Sequence, residues 1–366
     1  MAAKKLNKTN VPNLRFKEFD GDWEEDTLGN LCSNFKAGSG ITSESIFDEG
    51  EYPVYGGNGL RGYTDKFNYE GNFVLIGRQG ALCGNINYIR GKSYVSEHAI
   101  VIGGTDISDI KWLNYKLFLM KLGRLSESSA QPGLSVEKLK KLKTVIPKSL
   151  KEQQKIAAFL SLIDERISTQ IKIIEELRLL KSALSKKIFT QQLRFKANNN
   201  FHDWEKVQIG NLVDDIHSGK NKTELHGNFS IYGSMGIIGY STSYSYEGEY
   251  ILVARVGANA GSIQLASGKF SVSDNTLVFY GLKGVDTLFF YHLLIELKLN
   301  RLAFGSGQPL ITGGQLKRLV VFIPTQEEQI KIGNFLSTID KKLDAERVLL
   351  QQLEKQKQYL LQNLFI

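Results

Sequence analysis

Arg78 and Arg255 are the residues whose type and setting point most directly to chemistry. They stand in Gly-containing segments, Gly77-Arg78-Gln79-Gly80 and Arg255-Val256-Gly257. A small backbone there lets a guanidinium approach a base edge or a phosphate. An arginine so placed can equally pair with an internal carboxylate, and the residues alone leave both readings open. Lys36, Arg61, Lys92, Lys220, Lys222 and Lys269 are candidate phosphate contacts. Gln79, His98, Asn221, Asn259 and Asn275 add side chains that can hydrogen-bond a base edge. Tyr55, Tyr63, Tyr232 and Tyr240 are expected to pack the loops rather than touch a ligand.

No set of residues offers catalysis or metal binding. Gly57-Asn58-Gly59-Leu60-Arg61-Gly62 matches the dinucleotide pattern G-x-G-x-x-G, but the stretch after it is turn-like and no acidic residue stands about 20 positions on. There is no Walker A sequence, no helix-borne histidine pair, and no Pro-Pro dipeptide of the kind used by amino-methyltransferases. His98, His202, His217, His226 and His292 are scattered. Cys32 and Cys83 lack the close-spaced partners that a disulfide framework or a zinc site requires. The expectation is a chain with no active site, no metal and no cofactor of its own.

The elements that must position these residues come in two copies. The chain has 366 residues, 42% of them hydrophobic and 23% charged, which suits roughly two folded domains. Arg78, Gly80, Ala81 and Gly84 recur as Arg255, Gly257, Ala258 and Gly261, at a constant offset of 177 residues. Leu14-Arg15-Phe16-Lys17 returns as Leu193-Arg194-Phe195-Lys196, and Phe159-Leu160-Ser161 as Phe335-Leu336-Ser337. Each copy opens with a part rich in Gly, Tyr and Ser, with β-prone runs at Asn72–Ile76, Tyr94–Ile102, Tyr250–Val256 and Thr276–Tyr280. Helix is expected at Trp112–Leu125 and Leu288–Leu302.

The second part of each copy is almost free of Gly and Pro. Leu160, Ile163, Ile167, Ile174, Leu177, Leu184 and Ile188 fall on alternating spacings of 3 and 4, as do Leu336, Ile339, Leu343, Leu350, Leu353, Leu360 and Leu364. Polar residues interrupt both seams at equivalent places, Gln170 with Glu346 and Lys181 with Lys357, either to fix register or as solvent-facing breaks. A helix from Glu152 to Phe189 would be roughly 57 Å long. A narrow seam on so long a helix needs a partner, and its copy is the nearest one. The expected architecture is α+β: two β-rich domains at 1–150 and 191–325, related by pseudo-twofold symmetry and separated by two antiparallel coiled-coil helices at 151–190 and 326–366.

The net charge of +8 is no argument by itself, because basic and acidic residues balance in 12–150 and in 198–325. The excess lies in 1–11 and 151–197. No apolar run is long enough to span a bilayer, and the basic start lacks an apolar region after it, so a cytoplasmic protein is expected.

Gln131-Pro132-Gly133-Leu134-Ser135, Leu139, Leu142, Val145-Ile146-Pro147, Glu152-Gln153 and Ile156 precede the first long helix. Gln308-Pro309-Leu310-Ile311-Thr312, Leu316, Leu319, Ile323-Pro324, Glu328-Gln329 and Ile332 precede the second. In this twice-repeated order the chain resembles the specificity subunit of type I restriction-modification enzymes. The resemblance implies a non-catalytic reader of double-stranded DNA whose two target-recognition domains each read half of a bipartite, asymmetric site. The helices would set the gap and dock two adenine methyltransferase subunits, with ATP-dependent restriction subunits outside them. S-adenosylmethionine, ATP and magnesium would belong to those partners. A partner fusing nuclease and methyltransferase is an alternative, and a coiled-coil scaffold for protein a more distant one.

Overall fold

The computed structural model describes residues 10–126, 133–197, 200–224, 226–305 and 309–366. Gln131, Pro132 and Gln308 of the repeated motif lie outside them. The fold is α+β, two β-rich domains separated by a long helix.

The first domain is built from β1 (Glu24–Thr27), β2 (Ser33–Ala37), β3 (Tyr52–Gly56), β4 (Gly59–Thr64), β5 (Tyr69–Gly77), β6 (Ile86–Val95), β7 (Ala99–Gly103) and β8 (Lys143–Ile146). Its helices are α1 (Leu28–Leu31), α2 (Ile110–Met120) and α3 (Val136–Lys140), and α4 (Leu150–Phe189) leads out of it. Six strands form one sheet in the order β2-β7-β5-β6-β3-β4, and β1 pairs with β8. Neighbours are antiparallel except β3 and β6, which run parallel through Val54↔Tyr94 and Tyr55↔Val95.

The second domain has β9 (Glu205–Gln208), β10 (Val213–Ser218), β11 (Phe229–Gly233), β12 (Gly236–Ser241), β13 (Tyr246–Ala254), β14 (Ile263–Val272), β15 (Thr276–Leu282) and β16 (Val320–Ile323). It also has α5 (Thr287–Glu296) and α6 (Gly313–Lys317), and α7 (Gln326–Asn363) follows. The order β10-β15-β13-β14-β11-β12 repeats the first sheet strand for strand, including the parallel pair β11 and β14.

Two apolar runs divide differently from their sequence reading. Tyr94–Ile102 is two strands, because the chain turns at Ser96-Glu97-His98. Ala99 N–H bonds Ser96 O there, and Ser96 N–H bonds Tyr55 O. Trp112–Leu125 is helical only to Met120, where Lys121 enters the left-handed region at φ 48° and a 3₁₀ turn follows. Lys298 does the same at φ 50° after α5.

The Glu-Gln pair in the first turn of each long helix is a structural latch. Gln153 accepts from Asp109 N–H (2.8 Å) and donates to the carbonyls of Ile107 and Pro147 (both 3.0 Å). Asp109 in turn caps α2 by accepting from Trp112 N–H. Gln329 accepts from Asp286 N–H (2.8 Å) and donates to Pro324 O, and Asp286 caps α5. Glu152 takes Arg15 bidentately at 2.8 and 2.9 Å, as Glu328 takes Arg194, and both carboxylates are buried.

By contacts the chain forms two units, one of residues 1–170 with 349–366 and one of 171–348. In the first, Trp23, Trp112 and Phe365 close an aromatic cluster with centroids 6.0 and 5.5 Å apart, beside Ile156, Leu160 and Ile163 of α4. Phe365 follows α7, so the end of the last helix seals the first domain. In the second unit Trp204, Phe289 and Phe189 form the same cluster beside Ile332 and Leu336, with Phe189 supplied by the end of α4. In the first unit Asp164 meets Lys357 at 2.6 Å while Gln170 and Leu349 line one cleft, and in the second Lys181 meets Asp340 at 2.5 Å while Ile188 shares a core with Ile332 and Leu336, so within each the helix segments run antiparallel.

Among the seam residues, Leu160, Ile163, Ile174, Leu336, Leu343, Leu353 and Leu360 are buried, while Ile167, Leu177, Leu184, Ile339 and Leu350 are half-buried. The polar interruptions are not solvent-facing. Gln170 is buried, and Lys181 and Lys357 hold their aspartates across the helix pair. Among the described residues no helix is long and apolar enough to cross a membrane.

Candidate nucleic-acid interface

Three segments far apart in sequence meet beside Arg78. The turn between β3 and β4, the loop Arg78–Gly84 and the turn Ser96–His98 together border a shallow depression of about 390 Å³. Gly57, Asn58, Arg61, Gln79, Leu82 and His98 are among its lining residues. Arg78 N–H bonds His98 O at 2.9 Å and Leu134 N–H bonds Arg78 O at 2.9 Å, which ties the loop to its neighbours on both sides.

Gly84 permits that packing. A Cβ at this position would lie 2.1 Å from the backbone nitrogen of Gly123, and one at Gly261 would lie 2.3 Å from that of Asn300. Only a residue without a side chain lets the arginine loop rest on the 3₁₀ turn that follows α2 or α5. The G-x-G-x-x-G match is thereby explained: Gly57 to Gly62 form a hairpin tip and part of β4, with no helix to receive a phosphate.

The second domain repeats the convergence. Arg255 N–H bonds Asn275 O at 2.9 Å, Ser234 Oγ donates to the same carbonyl at 3.2 Å, and Ile311 N–H bonds Arg255 O at 2.8 Å. Neither arginine makes an ion pair among the described residues, and Arg255 Nε is buried with no hydrogen-bond partner there. The internal-carboxylate alternative therefore finds no support among them.

The other candidates divide into groups. Lys36, Arg61, Lys220 and Lys222 are exposed and have no acidic partner among the described residues. Asn221 accepts from Ser245 Oγ at 3.0 Å, and Asn259 lies on the Arg255 loop, accepting from Ser262 N–H through its carbonyl. Lys92 and Lys269 lie over the rings of Phe67 and Tyr244 at 4.7 and 4.8 Å, and Lys269 also lies 3.7 Å from Glu247. Lys36 and Lys92 do not border the depression that gathers Arg61, Gln79 and His98. His98 has Glu97 at 3.3 Å. Among the tyrosines, Tyr55 and Tyr232 pack against the cores behind the sheets, whereas Tyr240 is exposed.

Sequence reasoning passed over the tip of the second hairpin. Met235 is 79% exposed, Ile237 52% and Ile238 51%. Their only sequence signal was apolar type in a Gly-rich turn. Among the described residues no cluster of three metal-ligating side chains occurs. Cys32 is buried and its thiol is pushed up to about 12 by that burial, which keeps it unreactive.

The family profile described as type I restriction modification DNA specificity domain matches residues 20–179 and again 202–355. The specificity subunit of type I restriction enzyme EcoprrI from Escherichia coli is 39% identical over 168 residues, covering 45% of this chain and 41% of that relative. The chain thus spans under half the length of that relative. The specificity subunit of type I restriction enzyme MjaVIII from Methanocaldococcus jannaschii is 26% identical across 94% of each chain. A crystal structure of the type I restriction-modification system S subunit from M. genitalium superposes with a TM-score of 0.78 at 22% identity, covering 97% of this chain and 99% of that one. The repeated profile, the relatives and the shared fold agree: the chain belongs to the family of type I restriction-modification specificity subunits, the non-catalytic DNA-recognition members of those systems, and carries the specificity domain twice.

Proposed function

We propose that 1–150 and 191–325 each read one half of a bipartite, asymmetric site on double-stranded DNA, with the helices of 151–190 and 326–366 setting the gap between the halves. The observation that carries this is the duplicated arginine. Arg78 and Arg255 stand on equivalent loops, each without an ion-pair partner among the described residues, at the meeting point of three loops. An arginine with no acidic partner among the described residues, set at a loop cluster, suits a base edge or phosphate, and different side chains around it suit different half-sites. Lys36, Lys220 and Lys222 supply phosphate contacts. Lys92 and Lys269 are weaker candidates because each already lies over an aromatic ring.

The helix pairs would dock two adenine methyltransferase subunits, and restriction subunits that use ATP would join them. S-adenosylmethionine, ATP and magnesium are assigned to those partners, and the assembly to the cytoplasm. The test is to co-express the chain with the methyltransferase of its own system and map N6-methyladenine across host DNA by single-molecule sequencing. A single split, asymmetric motif that disappears when this chain is deleted is the expected result. A stable complex that methylates no defined motif would overturn the reading.

A further inference from the structure

The two arginine sites differ in chemical type at equivalent places. Position for position, Asn58 becomes Met235, Arg61 becomes Ile238 and Gln79 becomes Val256. At the hairpin the exchange is a replacement in place, because the side chains of Arg61 and Ile238 sit alike, and Gln79 and Val256 make equivalent backbone bridges to Gly133 and Leu310. A Cβ on Gly56 would meet Arg61 Cδ at 2.7 Å, and a Cβ on Gly233 would meet Ile238 Cγ2 at 2.6 Å. Arg61 and Ile238 therefore both lie across the glycine that ends the first strand of their hairpin. Neither Met235 nor Ile238 serves the core, which is filled by residues such as Ile251, Leu252, Val253 and Val278.

We propose that the second domain recognises thymine through its C5-methyl group, using Met235 and Ile238 at the β11–β12 tip with Val256 on the adjoining loop. This rests on the reading that these loops face DNA. Among the base edges of the major groove the thymine methyl is the one apolar group, and apolar side chains gain from covering it. The first domain, with Asn58, Arg61 and Gln79 at the same three places, reads hydrogen-bonding edges instead. Leu82 and Asn259 run the opposite way, so the second site keeps polar groups beside its apolar tip.

The probe is a duplex library with randomised positions, amplified once with thymidine and once with deoxyuridine triphosphate, and selected on the full chain in complex with its methyltransferase. Deoxyuridine pairs as thymine does but lacks the methyl. The expected result is a split motif with thymine in the half read by the second domain. Binding there weakens about four-fold for each methyl removed, with no change when the first half alone carries deoxyuridine. The triple variant M235N/I238R/V256Q should lose that sensitivity and change the sequence of one half only. Continued selection of the other half by the same variant shows that it is folded.

A second half without thymine, or one indifferent to deoxyuridine, overturns the proposal while leaving DNA reading intact. An apolar wedge driven between base steps in the minor groove would show that indifference. A library that yields no split motif overturns the reading of DNA and this inference together.

Discussion

The two halves share the latch that ties each long helix to its domain, and they differ in the loops around each arginine and in the ring at the helix junction. Arg15, Asp109, Glu152 and Gln153 have the same residues opposite them as Arg194, Asp286, Glu328 and Gln329. At the helix junction the partner of the aspartate changes. Tyr115 donates to Asp164 at 2.7 Å, while its counterpart His292 lies 3.0 Å from Ser337 and 3.9 Å from Asp340. A glutamine holding three backbone groups at once has no substitute of the same geometry. A ring beside an aspartate that already holds a lysine does.

The largest effect should come from breaking the part the halves share. Glu152→Ala and Glu328→Ala each leave a partly buried arginine without its carboxylate, at a cost of about 3–5 kcal/mol. The loss should be alike in the two variants by urea denaturation. Trp23 and Trp112 report the first half and Trp204 the second, so fluorescence can show which half opens first.

Arg78→Ala and Arg255→Ala sharpen the contrast in function. Each should weaken recognition of one half-site only, by about 1–3 kcal/mol, and leave the fold unchanged. Methylation of sites altered in one half at a time gives the readout, and a uniform loss across both halves would contradict separate reading.

The junction should then separate the halves by pH. Burial, helped by Lys181 and opposed by Asp340, lowers His292 from the usual 6.5 to about 4, so it is neutral when folded. The unfolded chain binds the extra proton between those values. Stability is therefore full above pH 6.5, falls as pH drops toward 4, and levels below it. From pH 7 to pH 5 the second half should lose about 2 kcal/mol. Burial raises the Tyr115 hydroxyl instead, so that side chain does not titrate in this window. His292→Tyr should remove the slope, as measured by denaturation at several pH values.

The smallest effect should come from Lys357→Met and Lys181→Met. Each leaves a partly exposed aspartate without its lysine, for about 1 kcal/mol or less.

Much of the fold was legible because duplication and the heptad period are local signals. The long helices, the matched seams and the Glu-Gln motif could all be read from spacing. The roles of Glu152 and Gln153 could not, since their partners Arg15, Ile107 and Asp109 are distant in sequence. For the same reason spacing left Lys181 and Lys357 open between fixing register and a solvent-facing break, their aspartates lying on the other long helix. At the candidate site the cations were proposed by type. The grouping of Arg61, Gln79 and His98 was hidden because it arises only when three loops converge, and one of those turns lies inside the apolar run Tyr94–Ile102. Met235 and Ile238 escaped notice because a search for charge overlooks apolar groups, though these are the ones suited to a methyl.

The aromatic clusters carry a consequence for how the chain is made. Phe189 leaves the ribosome before the domain it seals, so the second half can close once Ile332 and Leu336 follow. The first half waits for Phe365, and Lys116 bonds Ile366 O across 250 residues of chain. Its apolar wall therefore stays open while the whole second half is synthesised. The half made first is the last to finish, and nascent chains stalled in between are the ones that need a chaperone.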